Sequence, residues 1–384
     1  METIIRRASI ADKAAIWNFL KVAYGDFSKH MFPKRWTWQY RENPYVKKEK
    51  NLLPILLAIK DDQIVGQTCV TPVELKIGNT VYPATWGTDF IVLPDFRGEA
   101  LGVRLMQIEL KHSKLMIGIS MAFSTRKIAE YLGYKKLDPI NIYWRPVRLQ
   151  RPFVYHHFIR RTLIKKTRNK LVGRLIKILF RFFSFDRLIS AILNIFCGMR
   201  DLIESRSKKK CLCDIQEVDY FDERIDSFWH STSGQYEIIV KRDKEYLNWR
   251  YSRDHPLTYR KFIATKDGQV KGYLVLRKAE PEEWNVGKVV DLYVGRDDPQ
   301  TIEDLIRHAI QFFGNDVEVL ECVASTSEYQ QTLSRFGFFK VKTEVPTYHC
   351  GNPSLAEKLE IHRHNCFFTK GDHDWDQFRP AQKI

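Results

Sequence analysis

Arg97-Gly98-Glu99-Ala100-Leu101-Gly102 carries residue types and a spacing suited to holding an anion. Ahead of it, Ile91, Val92 and Leu93 are strand-like, and Pro94 stops the pairing. Behind it, Val103, Leu105, Met106 and Leu110 recur at helical spacing. A helix that opens on small residues turns unpaired N–H groups outward, and its dipole favours negative charge there. Arg97 adds a fixed cation. The segment reads as a phosphate cradle. No Lys-Ser or Lys-Thr pair follows the glycines, so it is no Walker loop. A dinucleotide fold, with three glycines and a distal acid, fits poorly.

The elements that must position this cradle are legible around it. Ile55 to Ile59, then Lys60-Asp61-Asp62-Gln63, then Ile64-Val65-Gly66-Gln67 read as a hairpin closed by an Asp-Asp turn. Ile128 to Leu132, Gly133 and Tyr134 to Leu137 read as a helix stopped by glycine and followed by a strand. In this order the segment from Glu2 to Val147 resembles the GNAT acyltransferase superfamily. Arg97 to Gly102 is similar to its pyrophosphate loop, and Val92, Pro94 and Phe96 to the lead-in.

The resemblance implies an acyl-CoA donor, acetyl-CoA or another, and direct transfer to an amine or hydroxyl without a metal. Backbone N–H groups of Gly98, Glu99, Ala100, Leu101, Gly102 and Val103 would hold the pyrophosphate, with Arg97 beside them. Ile91 and Val92 would pair with the pantetheine amides. Such transfer needs a base for the acceptor and an acid for the thiolate. Asp89 is the candidate base, because partial burial near Trp86 and Phe90 would raise its pKa; a strand-end acid paired with a basic residue is the plainer alternative. Family members often place a tyrosine four residues before the final-helix glycine, and here that position is Ala129. Tyr131 is a candidate hydroxyl on the same helix, but about 200° further round it. Ser124, where the family often has Asn, is a candidate to orient a water or the thiol. Trp38, Tyr40 and Arg41 lie where the family builds its acceptor site, and suit a sugar or an anion. A packed helix end stopped by Asn43-Pro44 is the competing reading.

The chain also echoes itself. Trp38-Gln39-Tyr40-Arg41 recurs as Trp249-Arg250-Tyr251-Ser252, the hairpin turn as Lys266-Asp267-Gly268-Gln269, Asp89-Phe90-Ile91-Val92 as Asp291-Leu292-Tyr293-Val294, and the last helix and strand as Leu333 to Val341. Four echoes in one order predict two copies of one fold. The expected fold class is α+β: two tandem GNAT-like domains, each a mixed sheet flanked by helices, over 1–147 and 215–350. A basic helical insert over 148–214 joins them, and 351–384 form an extension. The second copy replaces the cradle with Gly295-Arg296-Asp297-Asp298, whose aspartates oppose an anion. One donor site per chain follows, with Asp291 either lining the acceptor pocket or serving the scaffold. Lys370-Gly371-Asp372-His373-Asp374-Trp375-Asp376 reads as a polar turn that can reach the cleft.

Between Arg148 and Lys210 stand seventeen Lys and Arg against three acids, a net +14 of the chain's +16. Leu171, Leu175, Ile178 and Phe182 fall on one helical stripe, and Lys170, Arg174, Lys177 and Arg181 on the next. An anionic membrane surface, an RNA backbone and a packed hairpin with solvated charges all fit this pattern; the width of the apolar face favours the membrane. Seven cysteines without a CxxC pair point to reduced thiols, hence a cytoplasmic enzyme peripheral to the membrane. The acceptor expected of it is an amino sugar or a lipid-linked glycan precursor, with the oligomeric state open. Two alternatives stay beside this reading, an aminoacyl-tRNA-dependent transferase and a non-catalytic interaction module.

Overall fold

The computed structural model describes residues 2–46, 52–150, 154, 185–206 and 211–377. The first half of the chain supplies β1 (Ile4–Ser9), β2 (Leu52–Lys60), β3 (Gln63–Ile77), β4 (Thr80–Val92), β5 (Leu115–Gly118), β6 (Lys135–Lys136) and β7 (Ile140–Pro146). The second half supplies β8 (Asp214–Val218), β9 (Ile238–Val240), β10 (Arg260–Lys266), β11 (Gln269–Arg277), β12 (Val286–Val294), β13 (Val319–Ala324), β14 (Phe339–Glu344), β15 (Thr347–Cys350) and β16 (Cys366–Phe367). The expected hairpins are β2–β3 and β10–β11. Asp61 and Asp62 both take positive φ (49° and 58°), as do Asp267 and Gly268. Two such residues in succession match the right-handed twist of paired strands.

Two sheets result. One runs β1-β2-β3-β4-β5-β15-β6 and the other β8-β10-β11-β12-β13-β7-β14, so the echoes of the sequence become one strand order used twice. The division of the chain at 147 and 215, however, does not divide the sheets. β7 leaves the first half and pairs with β13 and β14. β15 leaves the second half and pairs with β5 and β6. Each copy therefore completes the other's sheet by strand exchange. The position between β5 and β6 is taken by β15, the matching strand of the other copy.

The echoed tryptophans mark the pseudo-twofold contact. The Trp38 and Trp249 rings stack at 5.0 Å with 9° between their planes. Trp38 Nε1 donates to the Trp249 carbonyl at 2.9 Å, and Trp249 Nε1 to the Trp38 carbonyl at 3.1 Å. β9 ties the copies further by pairing with the far end of β3.

Of the expected insert, the structure describes one 22-residue helix, Phe185–Arg206. Asn194 brackets Leu149 with two bonds, and Asp201 meets Arg145 of β7 at 2.9 Å. The stripe from Leu171 to Phe182 and its basic neighbours lie outside the described residues. Leu188, Ile192, Ile195, Phe196, Met199 and Leu202 of the described helix are exposed.

Candidate active site

β4 and β5 pair only at Thr85–Met116 and Trp86–Ile117. Past Trp86 these parallel strands part, and the β4 edge from Gly87 to Val92 has no partner on β5. On their other edge Ile91 and Val92 pair with Gln67 and Gly66 of β3. The opening leads to the cradle. Gly98 takes φ +102° with nothing within 4 Å of an added Cβ, so its glycine serves the backbone turn. Ala100 sits left-handed at φ +54° as the N-cap of the helix Leu101–His112, and no side chain caps that helix. The first-turn N–H groups of Leu101, Gly102 and Val103 thus remain for a ligand. Gly102 has a packing reason as well: a Cβ there would lie 3.2 Å from Phe90 and from Ile128. Arg97 is fixed by an Nε bond to the Val92 carbonyl at 2.9 Å. Lys60, which the sequence did not single out, stands 3.6 Å from Glu99 and adds a second cation beside the loop.

A β-bulge interrupts the β4 edge. Gln67 faces Ile91 and Cys69 faces Thr88, so Asp89 and Phe90 share one position opposite Thr68. Asp89 adopts φ +45° and turns inward. Both its oxygens lie 3.1 Å from Arg35 Nη2, and Tyr40 donates to Oδ2 at 2.8 Å. Burial works against the Arg35 charge, but Asp89, Tyr40 and Asp374 outweigh it and raise its pKa. Burial, then Asp89, pushes the Tyr40 phenol well up, so it stays a donor. Asp89, expected as the base, is committed to this buried ion pair. The second copy repeats the device. A bulge at Val290 turns Asp291 inward, where Tyr251, the echo of Tyr40, donates at 2.9 Å and Tyr273 at 3.0 Å. Asp291 is 1% exposed and belongs to the interior of the second copy, not to an acceptor surface.

The other expected residues scatter. Trp38 and Tyr40 are spent on the stack and the ion pair, and Arg41 is exposed at the helix end. Trp38 still lines a narrow cleft between the copies, with Gln39, Thr71, Trp86, Thr88, His373 and Asp374. Ser124 is exposed, and Tyr131 is 76% exposed at the opposite end of its helix. Ala129 is buried and lines a separate cavity with Ser120, Met121 and Tyr134. The buried Tyr134 hydroxyl has no partner among the described residues, and burial raises its pKa.

The largest feature that the sequence understated is the segment Cys366–Gln377. It fills the second copy's equivalent of the opening. β12 and β13 part beyond Lys288–Glu321, and into that gap come Phe368, bonded both ways to Ser325, and Lys370, 2.6 Å from Glu321. Arg242 holds Asp372 at 2.6 Å, and Arg250 holds Asp376 at 2.7 Å. Having sealed the second opening, the segment turns to the first. His373 Nε2 lies 3.1 Å from the carbonyl of Gly87, the first residue past the last β4–β5 pair. The ring packs edge-on against Trp86 at 5.1 Å. Its Nδ1 lies against the Asp374 carboxylate, which stands 3.8 Å from Arg35. A wider cleft of about 460 Å³ between the copies, lined by Lys29, His30, Lys34, Arg35, Glu280 and Glu282, shares Gln377 with the narrow one. Among the described residues no group of three His, Cys, Asp or Glu is placed to hold a metal.

Comparison with known proteins agrees with this geometry. Residues 4–137 match the family model of the GNAT acetyltransferase domain. No curated protein matches the chain in sequence. Among solved structures, a GCN5-related N-acetyltransferase from Anabaena variabilis superimposes with a TM-score of 0.56 at 9% identity, over 91% of this chain and 73% of that one. N-myristoyltransferase of Saccharomyces cerevisiae, solved with bound myristoyl-CoA, gives 0.55 at 10% identity, over 91% and 79%. A GCN5-related N-acetyltransferase from Kribbella flavida gives 0.52 at 10%, over 90% and 70%. At these identities the likeness is one of fold.

Proposed function

We propose that this chain, an acyltransferase whose residues 4–137 form a GNAT acetyltransferase domain, moves an acyl group from acyl-CoA at the β4–β5 opening of its first copy to a polar acceptor entering between the copies. The uncapped helix beside an unpaired strand edge carries this reading: it offers N–H groups and Arg97 to a pyrophosphate, and strand hydrogen bonds to the pantetheine amides. The second opening is filled by Cys366–Gln377, which supports one donor per chain.

The acceptor in this proposal is an amino sugar or a lipid-linked glycan precursor, and acetyl-CoA is the first donor to test. Lys29, Lys34, Glu280 and Glu282 make the acceptor cleft amphoteric, which suits a polar, uncharged or zwitterionic molecule. The exposed apolar face of Phe185–Arg206, next to a segment of net +14, supports binding to an anionic membrane surface. No helix among the described residues is long and apolar enough to cross a membrane. Calorimetry with acetyl-CoA and longer acyl-CoAs is the primary test, with Arg97→Glu binding at least tenfold more weakly. No binding by the wild type, or equal binding by the variant, refutes the donor site. Sedimentation with phosphatidylserine vesicles tests the surface: partitioning unchanged by Ile195→Glu with Phe196→Glu removes it.

A further inference from the structure

We propose that the cavity at the end of β5 receives the acyl chain of the donor, and that Ala129 and Met121 set the chain length this protein accepts. The inference rests on the acyltransferase reading above. With the pyrophosphate at Gly98–Val103, the pantetheine arm runs back along the unpaired β4 edge from Val92 to Gly87. Those five steps span about 17 Å at strand rise. The thioester then reaches the apex where β4 and β5 part, just beyond the Trp86–Ile117 pair.

From there a chain cannot continue between the strands, because Trp86 and Ile117 close the sheet. It has to leave on one face. On the face towards the second copy, Trp86 and Thr88 line the narrow cleft, whose volume of about 20 Å³ holds about one water. The His373 ring also packs against Trp86 there. Successive residues of a strand alternate in face, so Gly87 presents the opposite one. Glycines stand at this point on both strands, Gly87 on β4 and Gly118 on β5. Methionine ends lie over them: a Cβ on Gly87 would come 2.7 Å from the Met116 methyl, and one on Gly118 would run into the Met121 methyl. An unbranched thioether re-packs readily around an inserted group.

The cavity begins here. Gly118 and Ile119, the first residues of β5 past the last β4–β5 pair, line it with Met121, Ala129 and the exchanged strand's Thr347. Ala129 belongs to the helix Phe123–Tyr131. Ile128 of that helix would lie 3.2 Å from a Cβ on Gly102 of the cradle helix, so cavity and cradle share one face of the sheet. The exposed Arg126, Glu130 and Lys136 stand at the rim. Ala129 is 2% exposed, and its small side chain leaves the floor open. The volume is about 230 Å³. An apolar cavity of about 150 Å³ holds benzene, so this one takes a chain of about six to eight carbons.

The test is calorimetry with CoA and its acetyl, butanoyl, hexanoyl, octanoyl and decanoyl thioesters. Affinity is expected to rise about two- to fourfold per added methylene up to about eight carbons, and to level off at the charged rim. Ala129→Leu fills the floor and is expected to lower the octanoyl-to-acetyl affinity ratio at least about tenfold. Met121→Ala enlarges the cavity and is expected to move the plateau about two carbons longer. Equal affinity across the series, or an octanoyl preference that Ala129→Leu keeps, overturns the proposal while leaving the donor site intact. Should Ala129→Leu fail to fold, as circular dichroism would show, Met121→Ala decides: a plateau that does not move refutes the assignment. Failure of the wild type to bind any of the series, CoA included, overturns the acyltransferase reading as well.

Discussion

Removing either tryptophan of the pseudo-twofold contact separates what holds the copies together from what holds the donor. Trp38→Ala deletes a side chain that is 4% exposed, which costs about 3–5 kcal/mol. It also strands the Trp249 carbonyl that Trp38 Nε1 serves at 2.9 Å, a further loss of about 1 kcal/mol. Trp249→Ala deletes the reciprocal bond, to the carbonyl of Trp38. Because each indole donates to the other's backbone, the two bonds are lost independently. Only the ring stack is shared, and a stack of this geometry is worth about 0.5–1.5 kcal/mol. The double variant should therefore be less destabilised than the sum of the singles by about 1 kcal/mol, measured by guanidinium unfolding. Acetyl-CoA affinity should stay within twofold, since the cradle lies elsewhere on the first copy, while acyl transfer falls as the cleft between copies opens. A single-variant cost below about 2 kcal/mol, or strict additivity, would refute the assignment of this stack as the joint between the copies.

Gly98→Ala should weaken acetyl-CoA binding and cost about 1–3 kcal/mol of stability, because its φ of +102° is left to glycine although no atom lies near the added methyl; calorimetry beside thermal unfolding checks both halves. Lys370→Ala should destabilise by about 3–5 kcal/mol, since it leaves Glu321 buried without its cation, and Glu321→Gln in the same chain should recover part of that. Acid should unfold the protein early. Burial opposes the Asp376 charge, but Arg250 holds its pKa down at about 2, against 3.8 ordinarily. Lys370 likewise overcomes burial to hold Glu321 at about 2, against 4.5. A depressed folded pKa stabilises above the unfolded value, so these terms, about 2 and 3 kcal/mol at about 1.4 kcal/mol per unit, vanish as pH falls from 4.5 towards 2. A flat urea midpoint across that window would contradict them.

The cradle was legible because local residues make it: two glycines, an arginine, a proline-ended strand and a helical stripe within twenty positions. The repeat was legible for a related reason, since four short echoes kept their order. Asp89 and Trp38 were found as positions, each with a structural reading left open beside the chemical one, and the structure puts Asp89 in an ion pair and Trp38 in a ring stack. Whether a carboxylate is vacant or ion-paired depends on Arg35, fifty-four residues away, and nothing local announces that partner. The Tyr40–Asp89 and Tyr251–Asp291 pairs could have been suspected, because both members recur in both copies. His373 stood in a run recognised as polar, but its reach to Gly87 across 286 residues is a tertiary fact. The exchange of β7 and β15 leaves no mark in composition at all, because each strand has the pattern its position in either sheet requires.

That exchange bears on synthesis. The first sheet has β6 by Lys136 but lacks β15, the strand between β5 and β6, until Cys350. At about 5–20 residues per second, the intervening stretch takes about 10–40 s to emerge. Throughout that interval β5 presents an open edge, and β7 waits for the sheet it will join. Such edges are where nascent chains pair wrongly. Folding in the cell is thus expected to lag behind translation, and a nascent chain released before Cys350 should need a chaperone to stay soluble.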